Sequence, residues 1–238
     1  MREPSEQEIA SAKAAAKEIT GSDALELVPF PDLGEGFCVL LRRLTPKEYG
    51  DYLDTGLRKE TDAREAAFID ACMWPSRKEA AELLRDFPGI TSDSQGVLDE
   101  LAGLTEETAK RVTKLSEATP KQVLEAAGLP AETARDLLLR YHHPGQLTLV
   151  DFPTLGEAFV FKAPGALYPP AVERINAAKN ARVGYRAATI TSVAGITVWA
   201  KRPLEDACKA WPALPGAALM SVFIKLGGSG AAGARKSL

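Results

Sequence analysis

Histidine occurs only twice in the 238 residues, as the neighbours His142 and His143, so the commonest general base and metal ligand is missing from nearly the whole chain. Adjacent residues point apart on a helix, which makes the pair a poor chelate; its place at an expected helix end is explained by attraction to the C-terminal dipole. No second histidine stands ready to activate a Ser or Cys nucleophile. Cysteine is equally sparse. Cys38, Cys72 and Cys208 show no CxxC spacing and lie in hydrophobic-patterned segments, which reads as reduced core residues rather than metal ligands. Long apolar runs are absent too: Ile190 to Trp199 is interrupted by Thr, Ser and Gly, well short of the eighteen or so residues of a membrane span. The opening MREPSEQEIASAKAAAKE is charged and has no apolar core, unlike a signal peptide, so synthesis in a cytoplasm is expected.

Nucleotide motifs fail on their contexts. Lys236-Ser237 follows Arg235 instead of the glycine that a phosphate-binding loop needs. Gly34-Glu35-Gly36 sits in an expected hairpin, not at a strand-to-helix turn. The segment EAAGLPAETARDLLLR lacks the glycine-spaced hairpin that offers amides to a DNA phosphate, and its half of the chain is acidic, which repels a polyanion. Carboxylate pairs such as Asp99-Glu100 and Glu106-Glu107 fall in amphipathic stretches and read as solvated faces. No cofactor, metal, nucleic acid or catalytic residue is therefore expected.

What the chain has is a sentence said twice. Residues 25–39, LELVPFPDLGEGFCV, and residues 147–161, LTLVDFPTLGEAFVF, share nine of fifteen positions without a gap; average composition gives about one by chance. Trp74 and Arg77 then answer Trp199 and Arg202, and Phe87-Pro88 answers Trp211-Pro212. The chain reads as a degenerate tandem duplication of a domain of roughly 80 residues. The fold expected is α+β, mostly α: two tandem copies of a small β-hairpin-plus-helices domain joined by a helical insert. The boundaries expected are an N-terminal helix at 1–24, repeat domains at 25–104 and 145–228, a helical linker at 105–144 and a flexible tail at 229–238.

Within the first copy, LELVPF and FCVLLRR alternate as the strands of a hairpin, with Gly34, like Gly156 in the second copy, supplying a positive φ. Thr45-Pro46 opens a helix to Gly56. Residues 62–74 read as a buried helix with Ala66, Ile69 and Met73 on one face. Ser76 and Glu79 form a capping box for a helix ended by Phe87-Pro88-Gly89, and a last helix covers roughly 93–102. In the second copy the β-branched run AATITSVAGITVW favours a strand by propensity, and the repeat favours a helix; the repeat is given precedence. Three helices are expected in 105–143, opened by Thr105, by Thr119-Pro120 and by Pro130.

Charge is divided unevenly. Through residue 146 there are 18 Lys and Arg against 27 Asp and Glu, a balance of −9; over 147–238 there are 11 against 5, a balance of +6. Either this is drift of solvated surfaces after duplication, or the acidic half meets the basic half, within one chain or between neighbours, because complementary potentials set orientation. Trp74, Trp199 and Trp211, beside Pro or basic residues, read either as core plugs with the indole N–H satisfied at the edge or as candidate interface anchors, since tryptophan dominates binding hot spots.

The hairpin with its Phe-Pro and Gly, the element Cys72-Met73-Trp74-Pro75 and then Phe87-Pro88-Gly89 resemble the tail assembly chaperones and baseplate hub assembly proteins of contractile-tailed bacteriophages. The resemblance spans 25–104 and, with Trp199-Ala200 in place of Trp-Pro, 147–230. It implies a non-enzymatic virion component of the tail or baseplate, assembled in the host cytoplasm in multiple copies and bound to other tail proteins. The alternative it implies is a transient chaperone that binds the tape-measure protein.

Overall fold

The structure, a computed structural model, describes residues 3–56, 59–103, 111–115, 120–141, 147–178 and 182–227. It is α+β, and the chain divides into two compact units, one of residues 1–105 with 208–213, the other of 106–207 with 214–238.

The first unit opens with α1, Glu6–Thr20. Ser5 and Glu8 close a reciprocal capping box, and Gly21 at φ 73° ends the helix in the left-handed region that glycine adopts most cheaply. Strands β1, Leu25–Pro29, and β2, Cys38–Arg42, form the expected hairpin, and β3, Cys72–Trp74, pairs antiparallel with β2. The helices are α2, Pro46–Gly56; α3, Glu60–Ala71; α4, Arg77–Asp86; and α5, Ile90–Leu101. Val39 and Leu41 of β2 enter one core with Phe68 and Ala71 of α3, Leu83 and Leu84 of α4 and Leu98 of α5, each large apolar side chain contributing about 1.5–3 kcal/mol by leaving water.

The expected helix over 62–74 is corrected at its end: it stops at Ala71 and residues 72–74 are strand. Pro75 supplies the reason, because a residue preceding proline is pushed out of the α region, and Cys72–Trp74 then pairs with the open edge of β2. A like division settles the conflict between helix and strand in the second unit. There α9, Arg182–Ala194, gives way at Gly195 to β7, Thr197–Ala200, so helix and strand each hold one part of AATITSVAGITVW. Inside α9 the hydroxyls of Thr189 and Ser192 donate to the carbonyls of Tyr185 and Ala188 at 2.9 and 2.7 Å, which satisfies buried polar groups in a sequence rich in strand formers.

The linker is corrected as well. Thr105 lies outside the described residues, but Arg111–Lys114 is a strand, β4, not a helix; Val112 and Thr113 suit an extended chain, and β4 pairs antiparallel with β5, Leu147–Phe152. Two expected helices of the linker are present as α6, Pro120–Ala126, and α7, Ala131–Arg140. The second sheet runs β4-β5-β6-β7, with β6 at Glu157–Lys162; the first runs β1-β2-β3. Helices α8, Tyr168–Ala177, α10, Leu204–Ala210, and α11, Met220–Gly227, complete the chain.

Candidate functional site

The strands that pair with the returning strand of each hairpin, β3 and β7, carry Trp74 and Trp199, and the ladders place them equivalently. Trp74 faces Leu40 at the irregularity between Leu40 and Leu41; Trp199 faces Val160 at the irregularity between Val160 and Phe161. This correspondence is offset from the ungapped sequence match by two residues. In the first hairpin the amide of Phe30 donates to the carbonyl of Phe37 at 2.8 Å, leaving six residues, 31–36, in the turn; in the second, Phe152 pairs with Glu157 and only 153–156 remain. Gly34 and Gly156 both have positive φ, 133° and 66°, yet the backbone of Gly156 is closer to that of Gly36, at 73°. The contraction by two residues moves Ala158 and Val160 into the ladder positions held by Cys38 and Leu40.

Paired residues share a sheet face, so Trp74 and Leu40 look toward the same side, where α1 contacts β3. Leu40 and Cys38 are 3% exposed and lie outside the core that Val39 and Leu41 enter on the opposite face. In the second unit, Trp199 packs with Val160, Ala158 and Leu149 against Leu124 of α6 and Leu137 of α7. A helix preceding each hairpin therefore packs beside the tryptophan strand. The N-terminal helix and the linker fall outside the repeat in the sequence, yet α1 contacts β3 and the linker helices α6 and α7 enter the core of the second unit. The apolar positions Ala12 and Ala16, and Leu124, Ala134 and Leu137, carried that signal in their helical spacing.

Trp74 is half-buried and lines an open groove of about 710 Å³ between α1 and the start of α4. Ser11, Ala12 and Ala15 form one wall, and Met73 and Trp74 the other. Two capping boxes flank it: Ser5 with Glu8, and Ser76 with Glu79, whose carboxylate accepts from the Ser76 hydroxyl at 2.6 Å and amide at 3.0 Å. Those bonds hold the Glu79 carboxyl below its ordinary range. The groove combines the apolar side chains of Ala12, Ala15, Met73 and Trp74 with the polar ones of Ser5, Gln7, Glu8, Ser11, Ser76 and Glu79. Cys72 of the same strand lies in the core, where burial pushes its thiol up to about 12, away from the thiolate form.

Trp211 is placed differently. The Arg43 guanidinium lies 5.6 Å from its ring centroid, and Arg43 donates to the carbonyls of Ala210 and, at 3.3 Å, of Thr20. Ala213 donates to the carbonyl of Ala102 at 2.9 Å and joins the first core. Residues 208–213 are thus held within the first unit, whereas the sequence reading placed them in the second repeat domain. The three tryptophans do not share one site: Trp74 lines a groove, Trp199 packs on α6 and α7, and Trp211 stacks on Arg43.

His142 and His143, and the 229–238 tail, lie outside the described residues. Among the described residues no group of three His, Cys, Asp or Glu could hold a metal ion, and no helix is long and apolar enough to cross a membrane. Comparisons with protein-family models, with curated proteins and with solved structures give no match.

Proposed function

We propose that the chain is a non-enzymatic component of a contractile bacteriophage tail, resident in the baseplate or hub, whose two related units bind neighbouring tail proteins. The observation that carries the reading is the recurrence of one strand arrangement with one tryptophan in one ladder position, since two related surfaces on a single chain suit an assembly with quasi-equivalent places. The Trp74 groove is the surface assigned to a partner helix. Its half-buried Met and Trp supply adaptable and anchoring apolar contact. Duplication of an ancestral domain is part of the same proposal and accounts for the shared order of strands.

Mass spectrometry of purified particles tests residence: the chain should be present in stoichiometric amount. Its absence from particles, together with capture of the tape-measure protein from infected cells, would instead establish the chaperone alternative. Ser11→Arg places a long charged side chain on the exposed wall of the groove without touching the core, and should reduce capture of tail proteins at least tenfold with the melting temperature unchanged. Undiminished capture would remove the groove from the proposal.

A further inference from the structure

A second groove of the first unit lies where the turn of the first hairpin meets the start of α5. It measures about 550 Å³ and is built on Pro31, Phe87 and Pro88, with Asp32, Asp86 and Asp93 among its lining residues. Phe87 remains 43% exposed although it meets Phe37 edge to face at 6.4 Å, and Phe37 meets Phe30 in the same manner. The floor is therefore a fixed aromatic and proline surface. Arg85 approaches Asp86 at 3.5 Å on the exposed side; Asp32 and Asp93 have no cationic partner among the described residues. The second hairpin has Thr154 where the first has Asp32, so the acidity belongs to one copy of the repeat alone.

The chain itself contains a segment of the opposite character. Residues 207–238 hold Lys209, Lys225, Arg235 and Lys236 and no acidic side chain, and 227–234 reads GGSGAAGA. Glycine and alanine can lie close against a flat proline and phenylalanine floor, and an arginine beside exposed aromatic rings and carboxylates gains both cation–π and charge-assisted contact. We infer that the groove of one copy binds the basic segment 228–238 of a second copy, giving a head-to-tail contact that repeats from copy to copy. Heterologous contacts of this kind build rings or filaments. The inference deepens the assembly reading and rests on it for its biological setting, but its contact exists, or does not, in the isolated protein.

The test uses the full chain at natural and at heavy nitrogen isotope abundance, mixed in equal amounts, coupled with a zero-length carbodiimide and digested for mass spectrometry. The expected result is an amide bond from the Lys236 amine to Asp32, Asp86 or Asp93, half of the products pairing light with heavy peptides. The products should fall at least fivefold in 0.5 M NaCl and disappear in the Asp32→Asn, Asp86→Asn, Asp93→Asn variant, whose surface changes leave the circular dichroism spectrum intact. Products that never mix isotopes would show the segment binding its own chain and overturn the inference. So would coupling of Lys236 to other carboxylates, or none. If the triple variant still captures tail proteins while losing the cross-link, the contact between copies is separate from partner binding; loss of capture in the Ser11→Arg protein with the cross-link preserved separates the two in the other direction.

Discussion

The Glu48 carboxylate serves a helix end and a buried cation together. It accepts two bonds from Arg42, at 2.8 and 2.9 Å, and one from the amide of Thr45 at 2.7 Å, while Thr45 in turn caps the Glu48 amide at 3.2 Å. Burial by itself would raise the Glu48 carboxyl, but the bonds from Arg42 and Thr45 outweigh it and the value lies below the ordinary 4.5. A depressed carboxylate stabilises the fold fully above its unfolded value and loses that contribution as pH falls through the folded one. Thermal melts from pH 5 downward should therefore fall more steeply for the native chain than for Glu48→Gln. At pH 7, Glu48→Ala strands Arg42, whose side chain is 5% exposed, and should cost about 2–4 kcal/mol by denaturant unfolding, the lower part of that span reflecting the partial exposure of Glu48.

Asp99 presents the opposite sign. Burial raises its carboxyl, and the bond from Gln95 at 3.1 Å and the charge of Arg64 offset this only in part. The native state then favours the protonated form, so stability declines as pH rises from the unfolded value of 3.8 through the raised folded one. Asp99→Asn should raise the melting temperature at pH 7 and leave it unchanged at pH 3. An equal rise at both would show a packing effect in place of a charge effect.

At the scale of elements, α1 and the strand that follows α3 decide what Trp74 touches. Ala12 and Ala16 are 6% and 0% exposed, so α1 packs through small side chains. Ala16→Asp should release α1, red-shift the part of the emission that is lost in Trp74→Phe, and leave the helical content of the other elements in place; an unmoved spectrum would show that α1 does not shield the ring. Caps, turns and hairpins were legible because a single residue type enforces each: Ser5, Ser76 and Thr45 at helix starts, Gly21 at a helix end, Gly156 in a turn. The strands β3 and β7 were not, although Pro75 and Gly195 marked their borders, because helical periodicity was carried right up to Pro75 in one case and through Gly195 in the other. β4 was missed for a different reason: four residues, Arg111–Lys114, with one apolar member give no period, and their conformation is set by the open edge of β5. The sequence match also hid the two-residue contraction of the second hairpin, since Gly156 meets a glycine in either register, Gly34 or Gly36, while Leu155, Glu157 and Phe159 match only in the ungapped one. Of the candidate site, the tryptophan positions could be read; the groove beside Trp74 could not, because it depends on a helix outside the repeated segment.

For the molecule as a whole, the units are not continuous in sequence. Residues 208–213 follow the second sheet and yet belong to the first unit, where Trp211 covers Arg43, Arg43 reaches the carbonyl of Ala210, and the amide of Ala213 completes the carbonyl of Ala102. Arg43 is 8% exposed, and the carbonyls of Ala210 and Thr20 and the indole ring are among the groups that hold its cation. Removing the indole in Trp211→Ala should cost about 3–5 kcal/mol, the range for deleting a packed aromatic, with the lost cation–π contact included. The loss should be local. Hydrogen exchange in the variant should quicken in 38–44 and 90–103 and stay as in the native chain across 147–162. A fragment of residues 1–105 removes the whole segment, leaves Ala213 out of the core and deprives Arg43 of two partners, so it should be less stable than the same residues in the full chain. Addition of a peptide covering 206–214 should recover part of the difference in a concentration-dependent manner, as linkage requires of anything that binds only the folded form. A fragment that melts with the full chain's first unit and ignores the peptide would show that residues 1–105 hold their core without the returning segment.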